Sequence, residues 1–191
     1  MIFIVVLAVL RMRASHSEKN RTEAFLNREN QANNTRRVDL STVEGFSFPV
    51  QDLPLPPEEN EELSLAYGTI RDLSQKKMMN LNGKSNTDLK LEYGPQNLEE
   101  LTEYGDNFSA LEQALLTYGK LLYEKEHPSE AVRVLEKGIA LPTDLMENYE
   151  LLAKIYEETG VPRKRDGLKT MAEANLTGYA RETVLRQLSG A

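Results

Sequence analysis

Large apolar side chains recur three and four residues apart through the second half of the chain, the spacing of helices with one buried face. Leu63, Ala66, Tyr67, Ile70 and Leu73 predict an amphipathic helix. Asn97 with Glu100 predicts the start of a shorter helix running to about Tyr104. Leu115, Tyr118, Gly119 and Leu122 predict another, and Tyr149, Leu152, Ala153 and Tyr156 match that pattern at an offset of 34 residues. A last stripe runs through Leu176, Tyr179, Ala180, Val184, Leu185 and Leu188, with Arg181, Glu182, Arg186 and Gln187 on the opposite face. Helix punctuation follows the same pattern. Ser109 with Glu112 has the spacing of a capping box. Pro128 suits a first helical position, where its missing N–H is harmless. Thr143 or Asp144 can cap a third helix, Gly160 can end it in a left-handed turn, and Pro162 can open a fourth.

Counting from Glu112 and from Met146, each first helix carries large apolar groups at positions 4, 7 and 11 and a small residue at 8. The small residue, Gly119 or Ala153, is where a partner helix must come close. In the first unit the second helix follows as Ala131, Leu135 and Gly138: small, large, small. Strict spacing puts Arg165, Lys169 and Ala172 at those sites in the second unit. A shift of two residues, absorbed by a loop at Gly160, Val161 and Pro162, gives Gly167, Met171 and Ala174 instead, the more favourable set. Over about residues 109–176 this pattern resembles the tetratricopeptide-repeat (TPR) family, whose period is 34 residues. The resemblance implies an all-α fold: antiparallel helix pairs stacked as a short TPR-like α-solenoid. The repeats would cover about 109–142 and 143–176, with a capping helix at 178–188, inside a helical domain at 61–191. Two repeats are few for independent stability, so the flanking helices are expected to complete the stack. The competing reading is an antiparallel helical bundle in which the offset has no meaning.

The amino end is different. Met1–Leu10, MIFIVVLAVL, has no polar residue. A helix of ten residues covers about half of a ~30 Å hydrocarbon core. A signal peptide would place its basic residues ahead of the apolar run, whereas Arg11 and Arg13 follow it and no clean cleavage site comes after. A buried strand would suit the β-branched Ile2, Ile4, Val5, Val6 and Val9. The reading preferred is the carboxyl half of a membrane anchor whose start lies upstream of Met1. Arg11, Arg13, Lys19 and Arg21 would then be its basic cytoplasmic flank, and residues 1–13 the anchor remnant. Residues 14–60 read as a polar, then proline-rich tether. Phe46, Phe48, Leu53 and Leu55 are expected to dock in surface grooves, or else to present a peptide to a partner.

Composition narrows the functional classes. The chain has 191 residues, 40% hydrophobic and 28% charged, enough for a globular domain with a real core. It has no cysteine, which excludes disulfides, thiolate metal sites and cysteine nucleophiles. Net charge is −7 overall, but residues 1–48 balance at +2 and residues 49–191 at −9. An acidic folded part argues against nucleic acid, whose binding needs clustered cations. Arg163, Lys164 and Arg165 are the exception, and they suit a solvated helix start. The histidines, His16 and His127, do not converge on a serine and a carboxylate. Asn82-Gly83-Lys84-Ser85 resembles the end of a phosphate-binding loop, but Met78 stands where the first glycine belongs and no strand precedes it. The run therefore reads as a polar turn. No catalytic, metal or cofactor signature emerges. Asn-x-Ser/Thr triplets begin at Asn20, Asn33, Asn107 and Asn175; at the last two, helix capping is the simpler reading.

The whole layout also resembles a group of small membrane-anchored proteins of Gram-positive, clostridia-type bacteria, which pair one amino-terminal membrane helix with a cytoplasmic TPR-like domain. The resemblance rests on residues 27–37 (NRENQANNTRR), on Leu53-Pro54-Leu55 and on residues 82–94 (NGKSNTDLKLEYG). It carries no known activity. In the TPR family, ligands lie against positions 2, 5, 9, 12 and 13 of each first helix. Here those are Gln113, Leu116, Lys120, Tyr123 and Glu124, then Glu147, Glu150, Lys154, Glu157 and Glu158. The resemblance thus implies a non-enzymatic adaptor held at the cytoplasmic face of a membrane, taking a protein or peptide in that groove. The acidic second set favours a basic partner by electrostatic steering. Two alternatives remain: a solvated face with intrahelical pairs such as Glu150 and Lys154, and a structural or oligomeric part of an envelope assembly. The latter would present Tyr67, Tyr104, Tyr123 and Tyr179 as one uncovered patch.

Overall fold

The computed structural model describes residues 2–57, 60–141, 143–160 and 164–189, with side chains from Glu18 onward. The protein is all-α. Among the described residues the helices are α1 (Ile2–Asn33), α2 (Glu61–Ser74), α3 (Asn86–Tyr93), α4 (Leu98–Glu124), α5 (Pro128–Ala140), α6 (Met146–Glu158), α7 (Lys164–Asn175) and α8 (Gly178–Ser189). The only extended pairing among those residues is a single antiparallel bridge between Phe46 and Met78. The backbone of residues 2–10 is helical, not a strand. Among the described residues no helix is long and apolar enough to cross a membrane.

Backbone contacts divide the chain into two units, each assembled from two stretches: residues 1–45 with 81–105, and residues 46–80 with 106–191. In the first unit α1 lies on α3. Arg28 pairs with Asp88 and Glu29 with Lys90. The Thr87 hydroxyl donates to Glu29 at 2.7 Å, and Ala32 is buried. The Ser85 hydroxyl caps α3 and Asp88 reaches back to the Ser85 N–H, a reciprocal capping box. The Ser85 hydroxyl and N–H, helped by Arg28, hold the Asp88 carboxyl down at about 2. At the other end of α3 only glycine fits: Gly94 has φ +89°, and a Cβ there would lie 2.8 Å from Arg37 Cα. Asn97 is wholly buried. It donates to Val38 O and Tyr93 O, both at 2.7 Å, and accepts from Arg37 Nε at 2.9 Å. One side chain thereby fastens the segment after α1 to the end of α3.

The second unit holds the larger core. Asn60 caps α2 by accepting from Leu63 N–H at 3.0 Å, and Leu63 and Ile70 are fully buried, with Ala66, Tyr67 and Leu73 packed around them. Within the proline-rich run Phe48 and Leu53 dock in the core, Phe46 sets its ring edge-on against Phe108 at 5.2 Å, and Leu55 stays exposed. The Pro54 carbonyl accepts from the buried Tyr118 hydroxyl at 2.8 Å. With nothing to donate to, that hydroxyl would be stranded in apolar surroundings.

Several expectations are corrected here. The helix expected to stop near Tyr104 does not stop; α4 continues through Ser109, which therefore caps nothing. No proline interrupts, and residues are buried on both sides of the expected break: Leu101 in the first unit, and Phe108, Leu111, Leu115, Tyr118 and Leu122 in the core of the second. Asn107 accordingly sits inside a helix, where its amide donates to Lys77 O at 3.2 Å. Neither Thr143 nor Asp144 is the N-cap of α6; Leu145 holds that position, and Thr143 accepts instead from Leu145 N–H at 3.2 Å. In α7 the shifted set fails. Gly167 faces open space, Ala174 is exposed and Met171 is partly so. The buried residues are Leu168 and Ala172; of the strictly spaced set only Ala172 is buried, while Arg165 and Lys169 are half-buried. Arg165 takes a half-covered place at that spacing because its head reaches Glu157 at 2.5 Å and Gln187 O at 3.1 Å, leaving the stem to pack. Pro162, expected to open α7, lies outside the described residues. In α8, Val184 and Leu188 are buried as expected, but Tyr179 is 75% exposed.

Candidate interaction face

The reversal between α4 and α5 is tight. Glu126 takes φ 65°, His127 holds the N-cap position without a side-chain bond, and Pro128 begins α5. α5 therefore runs back along α4, and the two approach closely where Gly119 meets Leu135. A Cβ at 119 would lie 2.6 Å from Leu135 Cδ2 and 2.7 Å from its Cγ. The next reversal repeats the device: a Cβ at Gly138 would lie 2.6 Å from Asn148 Nδ2. α6 packs against α5, and its side chains also reach those of α4.

That arrangement brings most of the expected groove residues together. Lys120 Nζ meets Glu147 at 2.8 Å. The Tyr123 hydroxyl donates to Glu158 at 2.6 Å, and Lys154 Nζ stands 5.0 Å from the Tyr123 ring centre. Gln113, Lys120, Glu124, Glu147, Lys154, Glu157 and Glu158 are exposed, while Tyr123 and Glu150 are half-buried. Leu116 is the exception: at 5% exposure it belongs to the core. Hydrogen bonding to Glu147 raises the Lys120 ammonium above its ordinary value, and bonding to Tyr123 does the same for Lys154.

The face also contains parts the spacing did not indicate. Arg165 of α7 neutralises Glu157 from outside both first helices. A cleft of about 190 Å³ between α6 and α8 is lined by Glu150, Ala153, Lys154, Glu157, Arg165 and Gln187. Three of the carboxylates are thus already engaged: Glu147 by Lys120, Glu157 by Arg165 and Glu158 by Tyr123. Glu124 and Glu150 form no ion pair among the described residues. The sequence could not show this, because Arg165 lies in a different helix from every residue it serves.

Behind the face sits a buried carboxyl. Glu112 is 4% exposed, and its Oε1 has no hydrogen-bond partner among the described residues. Burial pushes it up to about 7, helped by Asp144 and opposed by a hydrogen bond from Thr143. Thr143 and Asp144, its neighbours, belong to the connection between α5 and α6. Of the four tyrosines that would form an uncovered patch, only Tyr179 is exposed; Tyr67 packs edge-on against Tyr118 at 5.9 Å.

No protein-family model, curated protein or solved structure matches the chain.

Proposed function

We propose that this protein is a non-catalytic interaction module that takes a basic peptide on the face shared by α4 and α6. The observation that carries the reading is the set of side-chain contacts across those helices, Lys120 with Glu147, Tyr123 with Glu158 and Lys154 over the Tyr123 ring, which gathers these residues at the surface. Contacts of that kind are expected between first helices in a TPR-like stack, and the tight contacts at Gly119 and Gly138 support the same reading. Glu147, Glu157 and Glu158 serve as scaffold through their internal pairs. Glu124 and Glu150 remain to receive lysine or arginine side chains. The tyrosine ring and the cleft beside α8 supply apolar area and shape. Steering by a net acidic face raises the association rate and fades with salt.

The apolar head of α1 and its basic flank favour attachment to the cytoplasmic face of a membrane, with the helical units in the cytoplasm. The test of the binding face is a peptide array containing lysine- and arginine-rich segments and their acidic counterparts. Wild-type protein should select basic peptides, with affinity falling as salt rises. The double variant Glu124→Lys, Glu150→Lys should lose that selection while its helical signal stays unchanged. Undiminished binding by that variant would place the site elsewhere.

A further inference from the structure

The chain contains one Asn-Gly step, Asn82-Gly83, and one Asp-Gly step, Asp166-Gly167. Each sets a glycine nitrogen, unshielded by a Cβ, next to a side-chain carbonyl carbon that it can attack. The structure separates the two. Asp166-Gly167 lies within α7, where helical dihedrals hold the backbone. Asn82-Gly83 forms the middle of an exposed turn. Lys84 N–H donates to Leu81 O at 3.1 Å, and Gly83 has φ +79° with nothing within 4 Å of where a Cβ would stand. Every residue from Asn82 to Asn86 is exposed, so water and solvent base reach the turn.

We propose that Asn82 is a site of spontaneous deamidation through a succinimide closed by Gly83. Solvent base removes the proton from the Gly83 amide nitrogen, which attacks Cγ of Asn82. The new C–N bond forms as the bond from Cγ to the side-chain nitrogen breaks, and that nitrogen takes a proton and leaves as ammonia. Water then opens the five-membered ring. Attack at the Cγ carbonyl returns an ordinary backbone with aspartate at 82. Attack at the original backbone carbonyl leaves the chain running through the side chain as isoaspartate. The net change is water in and ammonia out.

The position gives the reaction a structural consequence. The turn ends at Lys84, which pairs with Glu92, and at Ser85, which caps α3. An isoaspartyl residue inserts one methylene into the backbone between Leu81 and Lys84 and removes the fit of the Lys84 N–H to the Leu81 carbonyl. The start of α3, where Asp88 holds Arg28 of α1, then loses its template.

The test uses the full chain aged in neutral buffer at physiological temperature, then digested and mapped by mass spectrometry with fragmentation that separates aspartate from isoaspartate. Asn82 should convert before any other asparagine, with isoaspartate the larger product. Gly83→Ala should slow conversion by an order of magnitude or more, since a Cβ shields the attacking nitrogen. Because alanine is strained at that φ, Asn82→Gln provides the second variant: it should fold as wild type and release no ammonia from this peptide. Faster conversion elsewhere in the folded chain would overturn the proposal. So would an Asn82 that survives in the folded chain but converts in urea.

Discussion

At the scale of single residues, two contacts fix where the second unit can tolerate change. Gly119 has no room for a Cβ, because Leu135 is fully buried and its Cγ lies as close to that position as its methyl does. Gly119→Ala gains about 1 kcal/mol of helix propensity but forces a shift in a filled core, which costs about 1–3 kcal/mol. The variant should melt several degrees lower, and the penalty should shrink in a Leu135→Ala background, as a double-mutant cycle would show. A penalty just as large in the Leu135→Ala background would remove the close contact from the account. Glu112 makes a prediction of opposite character. Its folded value of about 7 lies above the ordinary 4.5, so the folded state holds a proton that the unfolded state releases. Its contribution is therefore full below 4.5 and is lost as pH rises through about 7. Glu112→Gln should flatten this part of the stability curve and gain on the order of 2 kcal/mol relative to wild type at pH 8, measured by urea unfolding across pH. Equal slopes in both proteins would contradict a buried carboxyl with one oxygen unpartnered among the described residues. The need for a small residue at 119 was legible from its place in the repeating pattern. Glu112 was not, since a glutamate near a capping serine reads as solvated.

At the scale of elements, the amphipathic stripes of α2, α5 and α6 were plain in the sequence because each buried face is local to its helix. The misreadings came where a non-local partner decided the outcome. α4 passes through Ser109 because the core of the second unit takes up Phe108 and Leu111 on either side of it, and a favourable cap cannot end a helix whose next residues are buried. α7 follows neither predicted set in full: Leu168 and Ala172 are buried, and Arg165 is half-covered because it finds Glu157 and the Gln187 carbonyl, partners in other helices. Asn97 is the clearest case in the first unit. Read as the start of a helix, it ends a single 3-10 turn and joins three backbone and side-chain groups brought from Arg37, Val38 and Tyr93. Asn97→Ala removes all three of these hydrogen bonds, leaving the Val38 carbonyl and the Arg37 guanidinium without this partner and the Tyr93 carbonyl with the Val38 N–H. The expected loss is about 2–4 kcal/mol in urea unfolding, with faster hydrogen exchange at Val38, whose N–H donates to Tyr93 O. A loss below about 0.5 kcal/mol, the range of ordinary surface changes, would show that these bonds are replaced by water.

At the scale of the whole molecule, the all-α class followed from helical spacing, and the acidic balance of the folded part followed from composition. The division into two units did not, because each unit is built from segments far apart in the chain. The interaction face was half legible. Positions 2, 5, 9, 12 and 13 of the two first helices named nine exposed or half-exposed residues, five of which touch one another across α4 and α6, together with one, Leu116, that the core claims. What the pattern lacked was the pairing within the face, which leaves Glu124 and Glu150 as the carboxylates to change. The most direct measurement is crosslinking capture from native membranes with a carboxyl-terminal tag, comparing wild type with the Glu124→Lys, Glu150→Lys variant by mass spectrometry. The account predicts one dominant protein partner, enriched from the membrane fraction, presenting a basic segment and lost in the variant. Recovery of the bait from the soluble fraction alone, or a partner that both proteins capture equally, would contradict it.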